Sequence, residues 1–148
     1  PEGNKAIGFA EIYAYATQPQ HEPSAELLSA LDGDVRVRRD FEALLRNVSV
    51  YWMPQVAAAS SGEISTREIE GCRIEFRASK AAADQIFVII ELVDKSAAPR
   101  NLFVCGKNGP VRRMDLPEAR DGRVQLLLEV DSEIASGLRD VESEVFLR

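Results

Sequence analysis

The side chains able to hold a metal, move a proton or attack a carbon are few in this chain of 148 residues. Histidine occurs once, as His21, in the Pro-flanked stretch "QPQHEP". One imidazole cannot build a histidine metal site alone, and a loop histidine is ordinarily solvated. The two cysteines, Cys72 and Cys105, lie far apart in sequence, each inside an apolar, strand-like run. Cysteine in such a run acts as a small hydrophobe, so no disulfide is expected and the default setting is cytoplasmic. Glu68/Glu70 and Glu142/Glu144 are carboxylate pairs at strand spacing. General acid–base work needs burial or a partner to shift a pKa, and neither is visible in the sequence. "CGKNG" at 105–109 has the look of a phosphate nest, but a hairpin turn explains it. No Gly-rich loop runs into Lys-Ser/Thr. No catalytic residue, metal ligand or cofactor site is assigned.

The other residues that can recognise something are aromatic and basic. "YWMPQVAAASSGE" (51–63) holds the only tryptophan, Trp52. It continues the apolar stripe of the preceding segment by about one turn, so Trp52 is expected to be a core plug. Met53 would fill space beside it. The rival reading makes Tyr51, Trp52 and Met53 an exposed anchor, because aromatic residues are enriched at binding hot spots. Arg36 and Arg39 join these three as the candidate partner-binding set. They belong to a cluster with Arg38 and Arg46 that is interleaved with Asp32, Asp34, Asp40 and Glu42, which reads as a mixed, solvated helix face.

Composition narrows the class. Apolar residues make up 45% and charged residues 28%, ordinary for a globular domain. A net charge of −6 argues against a general nucleic-acid binder, which needs a basic face. No stretch reaches the ~20 apolar residues of a membrane span. The chain begins at Pro1 rather than Met and shows no signal-peptide pattern.

The elements that must position these groups change character near Gly62. Before it, Ala and Leu recur at helical spacing. In Asn4 to Gln18, Ile7, Phe9, Tyr13 and Tyr15 alternate like a strand, while the alanines and the Asn4 cap favour a helix, which is the expectation. A second helix starts at the Ser24 cap and carries Leu27, Leu28 and Leu31; a third starts at the Asp34 cap. In the third, Val37, Phe41, Leu44, Leu45 and Val48 fall on one face. That face is expected to run into Trp52, with "VAAASSG" carrying the helix to Gly62. After Gly62, short runs rich in Val, Ile, Phe and Leu alternate with turns. Residues 64–69 and 72–77 predict a hairpin about Glu70–Gly71, and 85–93 a central strand buried on both faces. Residues 101–105 and 111–116 predict a second hairpin about Asn108–Gly109. Strands follow at 123–130 and 143–147, separated by a short capped helix at 131–138. The expected architecture is α+β: about three helices in residues 1–62, then in 63–148 an antiparallel sheet or small sandwich of about six strands with one short helix.

"EIYAYATQ", a Pro-containing link, "AELLSAL" and "DVRVRRDFEALLR" together resemble the N-terminal helical domain of zinc-binding-type bacterial anti-sigma factors. The resemblance covers about residues 9–47 and rests on helix lengths and the Leu/Ala pattern. In the best register Ala30, Asp34 and Val37 stand where that family has its His and two Cys ligands, so these positions hold no zinc. The resemblance implies a zinc-free relative that grips a protein partner, a sigma factor or another regulator, with the β half as sensor or second interaction module. Function is therefore expected to be a non-catalytic protein-interaction or regulatory module linked to transcription. A small-molecule or peptide binder with a pocket between helices and sheet is the alternative. An enzyme using carboxylates that the spacing does not single out is the third reading.

Overall fold

The computed structural model describes residues 8–56, 64–107 and 109–148. Three helices come first, α1 (Phe9–Thr17), α2 (Ala25–Gly33) and α3 (Val35–Val48), followed by β1 (Tyr51–Met53). Then come β2 (Thr66–Ile69), β3 (Cys72–Ala78), β4 (Gln85–Leu92), β5 (Asn101–Cys105), β6 (Val111–Asp115) and β7 (Arg123–Glu129). A short helix, α4 (Glu133–Arg139), and a last strand, β8 (Glu144–Leu147), close the chain. The α+β class with antiparallel sheets is the one expected from the sequence.

Local chemistry sets the helix boundaries. The Ser24 hydroxyl accepts the N–H of Leu27, and the Asp34 carboxylate accepts those of Arg36 and Val37. Asp34 also ends α2, its N–H reaching the carbonyl of Ala30. One residue thus closes one helix and opens the next, which makes the α2–α3 corner tight. The Ser132 hydroxyl caps α4 through the N–H of Ala135. α1 starts at Gly8 without a side-chain cap, later than the Asn4 start expected from sequence; Asn4 lies outside the described residues.

The strands form two four-stranded antiparallel sheets, β1-β8-β5-β6 and β2-β3-β4-β7. Strand alternation sends Met53, Leu102, Val104, Val145 and Leu147 of the first sheet inward against Cys72, Ile74, Phe76, Val88, Ile90 and Val124 of the second. The opposite face of the first sheet carries Phe103, Cys105, Val111 and Phe146, and the helices cover it with Ile12, Tyr15, Leu27, Val37, Phe41 and Leu45. Tyr15 stacks on Phe41 at 5.4 Å between ring centres, and both rings meet Phe103 edge-on. The layers are helices, covered sheet and outer sheet. Full burial of each of these side chains contributes about 1.5–3 kcal/mol, so the two cores are comparable in weight.

Two expectations change, and a third lies largely outside the described residues. Residues 51–53 are a strand, not a continuation of α3: the helix ends at Val48, and β1 pairs with β8 in the register Tyr51↔Leu147, Trp52↔Phe146, Met53↔Val145. The expected run of helix through "VAAASSG" to Gly62 falls largely on 57–62, outside the described residues. β4 is not buried on both faces, since Glu91 on its outer side is exposed; β5, between the helices and the outer sheet, is buried at all five positions. The turn at Gly71 takes a φ of 88°, as the expected hairpin requires. Asn108 of the second hairpin lies outside the described residues.

One inward position of the outer sheet is charged. Arg67, 2% exposed, points into the sandwich from β2. Its Nε donates to the carbonyl of Leu138 at 2.7 Å and its Nη2 to that of Asp140, so it closes the C-terminal end of α4. Burial lowers its pKa, with Asp140 opposing the shift.

Candidate functional site

The surface best furnished for recognition runs along one flank of α3. Positions 35, 39, 42 and 46 follow the i, i+4, i+7, i+11 rhythm and so share a side of the helix. Its 1.5 Å rise per residue places Arg39 and Arg46 roughly 10 Å apart along the axis. Arg38 anchors this flank to the sheet: Nη1 donates to the carbonyl of Gly109 at 2.7 Å and Nη2 to that of Gly106 at 2.6 Å. Its Nε meets Glu42 at 2.6 Å. Glu42 and Glu144 then share Arg46, at 3.8 and 3.3 Å. Glu144 accepts the indole N–H of Trp52 at 3.0 Å, and the Arg46 guanidinium sits 5.2 Å above the indole. The indole also stacks almost parallel on Phe146, 6.5 Å between centres at 7°. A continuous chain of hydrogen bonds and ion pairs thus leads from the β5–β6 turn along α3 to Trp52.

Alternation along β1 decides the fate of the aromatic stretch. Met53, 2% exposed, faces the outer sheet and is the core plug. Tyr51 faces the same way, partly buried, with its ring over Gly71. Trp52 faces the helix side at the edge of the covered sheet, beyond the end of α3, and stays 39% exposed. Trp52 as the core plug is therefore corrected: the one-residue alternation of a strand replaced the expected helical stripe. Of the five candidate partner residues, Trp52, Arg36 and Arg39 present side chains at the helix-side surface, while Met53 does not reach solvent. Arg36 pairs with Asp40 at 3.4 Å in the open. Arg39 lines a cleft instead.

That cleft, about 670 Å³, opens between the α2–α3 corner and the β5–β6 turn. Leu31, Val35 and Pro110 supply its apolar wall; Arg38, Arg39, Lys107 and Arg112 face Asp32, Asp34 and Glu42 across it. Arg112 is held by Glu133, with Nε at 2.9 Å. Beneath the flank lies Cys105, 2% exposed. Burial pushes its thiol up, Glu42 and Glu144 adding to the rise while Arg38 and Arg46 oppose it. It is a free thiol under an ionic lid rather than an activated nucleophile.

The other singled-out groups are not brought together. Among the described residues, no group of three or more His, Cys, Asp or Glu is placed to hold a metal ion. Glu144 is engaged by Arg46 and Trp52, and Glu142 stands 3.9 Å from Lys107. Glu42 and Arg46 were read only as part of a solvated helix face and Glu144 only as one of a carboxylate pair; the structure makes all three working residues of the flank. The Arg38/Glu42/Arg46 spacing was a visible signal; nothing in the sequence tied Glu144 to α3, because it arrives through the β1–β8 pairing. Among the described residues no helix is long and apolar enough to cross a membrane. Set against models of known families, curated proteins and solved structures, the chain finds no match in any of the three.

Proposed function

We propose that the chain is a non-catalytic protein-interaction module that regulates its partner through the α3 flank ending at Trp52. The observation that carries this is a large aromatic side chain, 39% exposed, held in one orientation by Phe146, Glu144 and Arg46. Anchors of this kind suit binding because little side-chain entropy remains to be lost on docking. Tryptophan and arginine are also the residues most enriched at hot spots. The apolar stripe of α3 is buried on Phe103 and Phe146, so a partner that meets this helix meets its charged flank. The partner class that fits the resemblance of residues 9–47 is a sigma factor or another transcription regulator. Two free, buried cysteines support a cytoplasmic setting. The test is affinity capture from native lysate with the parent and with Trp52→Ala and Arg39→Glu, each checked for native circular dichroism. A partner lost with either substitution supports the reading; one retained by both sinks it.

The cleft favours a second reading, a small-molecule or peptide binder. Its volume lies within the range of ligand pockets, and it joins an apolar wall to convergent charges. A thermal-shift screen of small anions and short peptides, repeated on Arg39→Ala, separates the two readings.

A further inference from the structure

The four strand edges of the two sheets are not equally protected. β1 and β2 are short, and β2 also turns the charge of Arg67 inward. β6 carries Arg112 and Arg113 and touches α2. Short strands, edge charges and inward charges are the usual devices against unwanted strand pairing. β7, "RVQLLLE", is seven residues long and has no proline, lysine or inward charge. It borders only β4.

The hydrogen-bond parity of that border fixes which backbone groups remain. Leu92 N–H reaches the Gly122 carbonyl, and Val130 N–H reaches that of Asp84. In the β4–β7 register, residues 122, 124, 126, 128 and 130 therefore bond to β4, and Arg123, Gln125, Leu127 and Glu129 turn their backbone groups to the open edge. Arg123 exchanges both of its bonds with Arg120, and the Glu129 carbonyl accepts the N–H and hydroxyl of Ser132. Among the described residues, Gln125 and Leu127 keep both N–H and C=O open, between ends closed by local turns.

From this we infer that β7 pairs with β7 of a second copy of this chain, antiparallel about Leu126, joining two outer sheets into one of eight strands. That register lets Gln125 and Leu127 of each copy exchange four backbone hydrogen bonds with Leu127 and Gln125 of the other. Arg120 fills the edge beside Arg123, so backbone pairing stops at Gln125 and Leu127, and beyond it the outer-face side chains of Arg123 and Glu129 from opposite copies approach each other twice. On the inner face Leu126 meets Leu126 and Val124 meets Leu128; Leu126 and Leu128 are only partly buried in the single chain. The self-complementary charges and the matched open groups select a second copy over an arbitrary extended peptide.

Sedimentation equilibrium of the full chain, from micromolar to near-millimolar concentration, tests this. The parent is expected to reach twice the 16.4-kDa chain mass. Leu127→Pro blocks a donor that the single chain does not use and should leave a monomer with parental circular dichroism. Should that variant misfold, the charge pair decides. Glu129→Arg should raise the dissociation constant at least tenfold by facing Arg123 with arginine, and adding Arg123→Glu should restore the dimer. A parent that stays monomeric throughout overturns the inference, whatever peptides it binds. So does a dimer indifferent to Glu129→Arg and, where it folds, to Leu127→Pro.

Discussion

Trp52 and Met53 are neighbours in sequence and opposites in environment, and that difference is measurable. Met53→Ala empties a buried site between the sheets and should destabilise the fold by about 2–5 kcal/mol. Trp52→Ala removes a stacked, partly exposed ring and should cost only about 1–2 kcal/mol in chemical denaturation. Equal losses would return Trp52 to the core. The cysteines give a second residue-level test. Burial pushes the Cys72 thiol from an ordinary 9.0 up to about 12. Above pH 9.0 the unfolded thiol sheds its proton while the folded one keeps it to about 12, so stability should fall as pH rises through that window. Urea midpoints between pH 8 and 11 should drop less steeply in Cys72→Ala than in the parent. Both thiols should also react with a disulfide reagent only as fast as the protein opens. The sequence showed that Cys72 and Cys105 belong to apolar runs, because alternation in β3 and β5 is local information. It could not show that Trp52 and Met53 part company, because that depends on β8, which lies over ninety residues away and pairs with them.

At the scale of elements, the helices were legible where side chains cap them. Ser24, Asp34 and Ser132 mark their own helix starts, and the Val37–Phe41–Leu45 stripe marks the buried side of α3. β1 was hidden, since three residues are too few for a period and its pairing is long-range. The same long-range pairing bears on a division of the chain near residue 62. β1 completes the covered sheet, and α1–α3 shield Phe103, Cys105, Val111 and Phe146. A fragment of residues 64–148 lacks all four elements and bares that apolar face. It should aggregate or lose the dispersed amide spectrum of the full chain. A soluble fragment with native-like dispersion would show that the outer sheet carries enough of the core alone. The clasp of Arg38 on Gly106 and Gly109 belongs to this scale too. Arg38→Ala leaves both carbonyls without that donor and leaves Glu42 only its longer pairing with Arg46, and should cost about 1–3 kcal/mol.

For the whole molecule, three layers put the charged outer sheet on one side and, on the other, the helices with the flank that ends at Trp52. The sequence named Trp52, Arg36 and Arg39 but not the ionic chain that orders the flank, since Glu144 enters it only through the fold. The central claim is that a protein partner docks on this flank. A photo-crosslinking residue placed in native cells at Val50, 47% exposed beside Trp52, and at Arg39 tests it most directly, with Val93, 81% exposed and remote in sequence, as the control. The account expects one discrete protein to be captured from both flank positions and not from Val93, and to vanish when Trp52→Ala is added. The same bands from all three positions, or capture that survives Trp52→Ala, would contradict it.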